Sequence, residues 1–188
     1  MDKYSTFGQR FLSGFIDGLI FLPLALADNY IHDVKDNVLF VIWQFAYLIS
    51  LTLYTVIGHG KYGQTIGKKI MNIQVLDVNE VRLIGYRRAF LRESIWVALN
   101  IVFLIYYSIE SFRNPINVLE LRVTVMDGFC GISMMLWFFL EVITLLFNSK
   151  RRAIHDYIAG SVVIKLIELK REKMKLSQEQ LITSLQDK

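Results

Sequence analysis

The chain has 188 residues, 54% of them hydrophobic, a mean hydropathy of +0.40 and a formal net charge of +4. A soluble domain of this length would be less apolar, so the composition excludes an ordinary soluble globule. A single cysteine, Cys130, excludes an intrachain disulfide and a cysteine metal cluster, and it reads as a small packing residue.

The first apolar run, residues 7–27, has the length of a bilayer-spanning helix, about 20 residues. Between residues 11 and 27 its one formal charge is Asp17. A carboxylate near mid-bilayer costs roughly 2.5–3.5 kcal/mol on insertion scales, so Asp17 is expected to be buried against protein. On a helix Arg10, Gly14, Asp17, Gly18, Phe21 and Ala25 share one face. The Gly14-x-x-x-Gly18 pair on that face predicts close packing against another helix. Arg10 and Asp17 are about 10 Å apart along the axis, so each needs another partner. For Asp17 a basic or hydrogen-bonding group is expected, Arg92 or Arg10 first, helped by a polar side chain. Ala25-Leu26-Ala27 has the look of a signal-peptidase site, but Asp17 interrupts the apolar region and the run is long for a signal. The segment is read as retained.

The loop at 28–37 is acidic, and Asp28, His32, Asp33 and Asp36 invite a divalent-cation reading. Their spacing matches no calcium loop, and a solvated loop is the expectation. A second span follows at 38–57. In the loop at 58–88, Met71, Ile73 and Val75 alternate with polar residues, which predicts a strand. Residues 77–80 supply a turn, and Val81-Arg82-Leu83 is the expected returning strand. Ser161-Val162-Val163-Ile164, rich in β-branched residues, is expected to add a further strand. The same loop contains Gly63-Gln64-Thr65-Ile66-Gly67-Lys68-Lys69. It is not a phosphate loop: three residues separate the glycines, and Lys69 stands where magnesium needs Ser or Thr.

A third span is expected at 89–109, and a mixed loop at 110–127 in which alternation suggests a short strand or interfacial segment. The fourth span is expected at 128–147. The tail at 166–188 reads as a charged amphipathic helix, suited to an anionic lipid surface or to a neighbouring chain. His59 and His155 flank membrane segments and are expected at surface or packing positions. No nucleophile–base arrangement and no metal-ligand pair stands out, so neither an enzyme nor a metal or cofactor site is expected. Basic residues beside a membrane call for no nucleic acid.

Of the 21 basic residues, 18 fall on one side of these four spans and three, Lys35, Arg113 and Arg122, on the other. By the positive-inside rule both termini are cytoplasmic. With that orientation Arg10, Asp17, Arg92, Glu93, Glu141 and Asp156 all lie in or beside the inner half of the membrane. This polar nest is either an ion or solute site or a clamp that holds the helices together. Arg10 and Asp156 reach the same face at similar depth and are expected to pair.

Arg10-x6-Asp17, Thr65-Ile66-Gly67-Lys68, Arg88…Arg92-Glu93 and Arg152-Ala153-Ile154-His155-Asp156-x-x-Ala159-Gly160-Ser161-Val162-Val163 together resemble the RDD family of membrane proteins. Ser13 and Ser161 stand where Ala and Thr are more usual. The resemblance assigns the family's named trio to Arg10, Asp17 and Asp156. It implies a mostly bacterial membrane protein for which transport of unidentified ligands has been suggested. The resulting expectation is an all-α integral membrane protein with four transmembrane helices, a small cytoplasmic β-hairpin and a C-terminal amphipathic helix. Residues 1–165 would form the membrane domain and 166–188 the tail. It would sit in a bacterial inner membrane as a homo-oligomer, transporting an ion or small solute. The alternative is a non-transporting scaffold or assembly partner.

Overall fold

The structure is a computed structural model that describes residues 3–33, 37–113 and 131–186. Helix α1 (Phe7–Asp33) leads to α2 (Asn37–Ile57), a π-helical turn (Gly58–Tyr62) and the short α3 (Ile66–Ile70). Strand β1 (Ile73–Asp77), the long helix α4 (Gly85–Arg113) and α5 (Gly131–Leu146) follow. The chain ends with α6 (Ile154–Ala159), β2 (Ser161–Lys165) and α7 (Leu166–Gln186).

Three of these helices are long and apolar enough to cross a membrane, over Phe7–Ala27, Val38–Tyr62 and Gly85–Tyr106. In the most apolar windows of the first two, 6% of residues are buried by the rest of the chain. Their Leu, Ile and Phe side chains therefore point outward, which is tolerable in lipid and costly in water. Helix α5 is also apolar, with a shorter stretch at Met135–Leu146. The start of the expected fourth span, Cys130 and the loop at 114–130 lie outside the described residues. So do the side chains of the acidic 28–37 segment that the cation reading needs.

The end of α2 and the start of α4 pack, through Val56 and Ala89, on a two-stranded antiparallel sheet. Residue Ile73 pairs with Lys165 and Asp77 with Ser161. This corrects the expected local hairpin: 81–83 is not a strand. The Asp77 carboxylate accepts hydrogen bonds from the Val81 and Arg82 amides, and the Asp77 amide donates to the Arg82 carbonyl. That turn satisfies its own backbone groups, so β1 is free to take β2 as its partner. Both faces of the sheet are covered. Ile73, Val75 and Val163 pack with Ile84 and Ala89 on one side; Leu76, Val162 and Ile164 pack with Tyr4 and Leu169 on the other. The continuous burial of Ser161–Ile164 follows from this sandwiching.

Two glycines shape this end. Gly63 closes the π-helical turn at φ 69°, where a Cβ would lie 2.6 Å from Leu83 and 2.9 Å from the Val75 carbonyl. Gly67 brings α3 against α1, where a Cβ would come within 2.2 Å of the Ser13 carbonyl oxygen.

Candidate functional site

Asp156, in the first turn of α6, has no exposed surface. Arg10 Nη1 of α1 lies 2.6 Å from its Oδ2, and Arg92 Nη1 of α4 lies 2.8 Å from its Oδ1. Ser161 Oγ donates to Oδ1 at 3.0 Å and the Ala153 amide to Oδ2 at 3.2 Å. Burial opposes charge on this carboxyl, yet the two guanidinium groups overcome it and hold Asp156 well below the usual carboxylate range. Arg10 spends its other donors on the Arg151 carbonyl and on Thr6 Oγ1, both at 3.0 Å. The expected Arg10–Asp156 contact is present, but Asp156 is shared: it joins α1, α4 and β2 through one side chain.

Asp17 is held by hydrogen-bonding groups, as one arm of the expectation has it, and not by the arginines named first. Neither Arg92 nor Arg10 reaches it. Tyr54 OH donates to Oδ1 at 2.6 Å, Thr65 Oγ1 to Oδ2 at 2.6 Å and the Gly67 amide to Oδ1 at 2.7 Å. Thr65 is the N-cap of α3, so the carboxylate sits at the positive end of a helical turn. Three neutral donors thus take the place of a counter-ion. The motif Thr65-Ile66-Gly67-Lys68 supplies two of them and, at Gly67, the space for the approach. The Gly14–Gly18 pair does not pack helices of this chain together: a Cβ at either would meet nothing within 4 Å.

A cavity of about 420 Å³ opens between α1, the π-helical turn, α3, α4 and α5. Arg10, Asp17, Arg92, Glu93 and Glu141 line it, and Asp156 braces two of them from behind. Its apolar wall includes Trp96 and Trp137. His59, Lys68 and His155 also line it, and sequence reasoning did not assign them to the nest. Neither histidine is at an open surface position, and His59 is buried. The π-helical turn directs His59 inward at 2% exposure, and α6 sets His155 against Arg92.

Arginine only donates, so the 2.8 Å contact from Arg92 Nη2 makes His155 Nε2 an acceptor and leaves its proton on Nδ1. That proton faces Glu141 Oε2 at 2.6 Å, though with poor alignment for a hydrogen bond. The His155 amide donates to Glu141 Oε1 at 3.2 Å. His59 Nδ1 lies 3.3 Å from Glu93 Oε1, again misaligned, and neither ring nitrogen has a hydrogen-bond partner among the described residues. Lys68 carries no ion pair in the described part. Burial and then the Arg92 charge push its ammonium down to about 8. No group of three or more His, Cys, Asp or Glu side chains suited to a metal occurs among the described residues.

Outward-facing apolar helices, a sheet closing one end and a charged cavity beside it define a membrane protein of several spans. The chain belongs to the RDD family, whose family model matches residues 4–160. Neither a curated protein nor a solved structure matches it.

Proposed function

We propose that the protein is a small membrane transporter whose cargo, an ion or small solute, occupies the charged cavity. The observation that carries this reading is the cavity itself. Charged side chains from α1, α3, α4 and α5 converge on one space of about 420 Å³ rather than pairing away completely. Ionisable groups at membrane depth are costly to keep and mark pathways. In this reading α5 belongs to the fourth span. Both termini lie in the cytoplasm of a bacterial inner membrane, in keeping with the 18 to 3 split of basic residues. A second copy of the chain would cover part of the apolar surface, giving a homo-oligomer. No catalytic step is proposed. Flux of ions and small solutes into proteoliposomes tests the reading: protein-dependent, saturable flux that Asp17→Asn or Arg92→Gln reduces supports it.

The double arginine clamp on Asp156 favours a second reading, a non-transporting scaffold, because a clamp needs no cavity to work. Proteoliposomes with folded protein and no flux for any cargo would favour the scaffold.

A further inference from the structure

We propose that the cavity receives a lipophilic monocation, an organic ammonium with an apolar body, held at Glu141 and the two tryptophans and entering from the lipid side between α1 and α5. The proposal rests on the transport reading for the purpose of the site, and it names the chemical class of the cargo.

The sign of the charge comes first. Counted with neutral imidazoles, Asp17, Glu93, Glu141 and Asp156 bring four negative charges to this end of the molecule, and Arg10, Lys68 and Arg92 bring three positive ones. The cations are already taken. Arg10 and Arg92 are committed to Asp156, and Lys68 lies in the field of Asp17 and Glu93. Glu141 is the carboxylate left over. Its Oε2 is buried and has no hydrogen-bond partner among the described residues; the Nδ1 of His155, at 2.6 Å, is misaligned for one. A single positive charge balances the site, and a donor on it would satisfy that oxygen.

The walls decide the kind of cation. Helix α4 leaves the sheet end at Gly85 and α5 returns to it at Leu146. Trp96 follows Glu93 by three residues and Trp137 precedes Glu141 by four, so each indole is on the same helix face as its carboxylate and about one turn farther from the sheet. All four side chains line the cavity. Two carboxylates with two indoles just beyond them suit an ammonium, which aromatic faces attract. They do not suit a bare metal ion, and no group of three or more metal-ligating side chains occurs among the described residues. The way in is apolar. Phe11 of α1 and Phe138 of α5 line the cavity on either side, yet they are 61% and 51% exposed. The cleft between them therefore opens onto the same apolar surface that faces lipid, and the body of an amphiphile can lie along it while its charge reaches Glu141.

The full chain in nanodiscs is titrated at pH 7 with benzyltrimethylammonium chloride, its uncharged carbon isostere neopentylbenzene, sodium phenylacetate and sodium chloride while tryptophan fluorescence is followed. The expected result is a saturable change with benzyltrimethylammonium and with none of the other three. Loss of the charge in Glu141→Gln should weaken binding at least about tenfold, and Glu141→Asp, which keeps the charge, should bind more tightly than Glu141→Gln. Trp137→Leu should weaken binding several-fold, with Trp43 and Trp96 left to report it, and it serves as the test if Glu141→Gln fails to fold. An equal response to the neutral isostere or to phenylacetate, the absence of saturation with the ammonium, or full affinity in Glu141→Gln or Trp137→Leu overturns the proposal. Flux measured on the same preparations separates the two readings. Ammonium binding without flux of any cargo leaves this site standing and removes transport; flux of another cargo with no ammonium response removes this site and leaves transport.

Discussion

Asp156 and Asp17 solve the same problem, a carboxylate out of water, in opposite ways. Asp156 uses two full charges. Removing one partner of a buried pair leaves the other uncompensated, at a cost of about 3–5 kcal/mol, so Asp156→Asn should lower thermal stability strongly. Exchanging Arg10→Asp and Asp156→Arg should not recover it, because the new guanidinium would face Arg92; thermal unfolding of the single and double variants in detergent checks both points. The depressed pKa adds a pH dependence of definite sign. A carboxylate whose folded pKa lies below its unfolded value, about 3.9, contributes stability that is present above that value and lost as pH falls towards the folded one. Stability of the wild type should therefore decline below about pH 4, and the Asp156→Asn variant should lack that part of the decline. Asp17 instead uses neutral donors placed by close backbone contact. At Gly67 a Cβ would reach 2.2 Å from the Ser13 carbonyl, so Gly67→Ala should displace α3 and cost about 1–3 kcal/mol or more. Gly14→Ala and Gly18→Ala meet open space and should change the melting temperature little within the monomer.

Among the elements, the sheet is what lets distant parts of the chain reach one cavity. Strand β2 carries Ser161 to Asp156 and follows directly from α6, while β1 follows from α3, which holds Asp17. The main-chain carbonyl of Lys3 accepts from the Lys165 amide at 3.0 Å, so the chain start is tied to the same edge. Ile73, with no exposed surface, packs in the cluster on one face. Ile73→Ala should cost roughly 2–5 kcal/mol, and hydrogen exchange should show the amides of β1 and β2 opening together. If those of β1 stay protected while β2 exchanges freely, the pairing is wrong. The alternation in β1 was legible because one-sided apolar spacing is local. Its partner was not, because the turn after Asp77 looks equally suited to a hairpin until its hydrogen bonds are seen to close on that carboxylate.

On the scale of the whole molecule, orientation and cavity belong together. If the 18 to 3 split of basic residues sets the orientation, the cavity opens near the cytoplasmic boundary. Reporter fusions inserted at Lys35 and appended at Lys188 should register on opposite sides of the membrane. Finding both on one side would remove the four-span arrangement and the depth assigned to the cavity.

The membrane character, the family and the list Arg10, Asp17, Arg92, Glu93, Glu141 and Asp156 could be read from the sequence alone. Each rests on properties carried by the chain itself: apolar runs of fixed length, charges whose insertion is costly, and a motif order over residues 4–160. Which charge meets which was decided by tertiary structure. Pairing depends on the few ångströms that separate side chains of different helices, and sequence spacing does not encode them across a loop. The same holds for His59, Lys68 and His155, ordinary residues beside membrane segments until a π-helical turn, a glycine contact and a six-residue helix aim them into one cavity. Asp17 shows the boundary between the two. Its need for compensation is a property of the residue, but the choice of a tyrosine, a threonine and an amide over an arginine is a property of the fold.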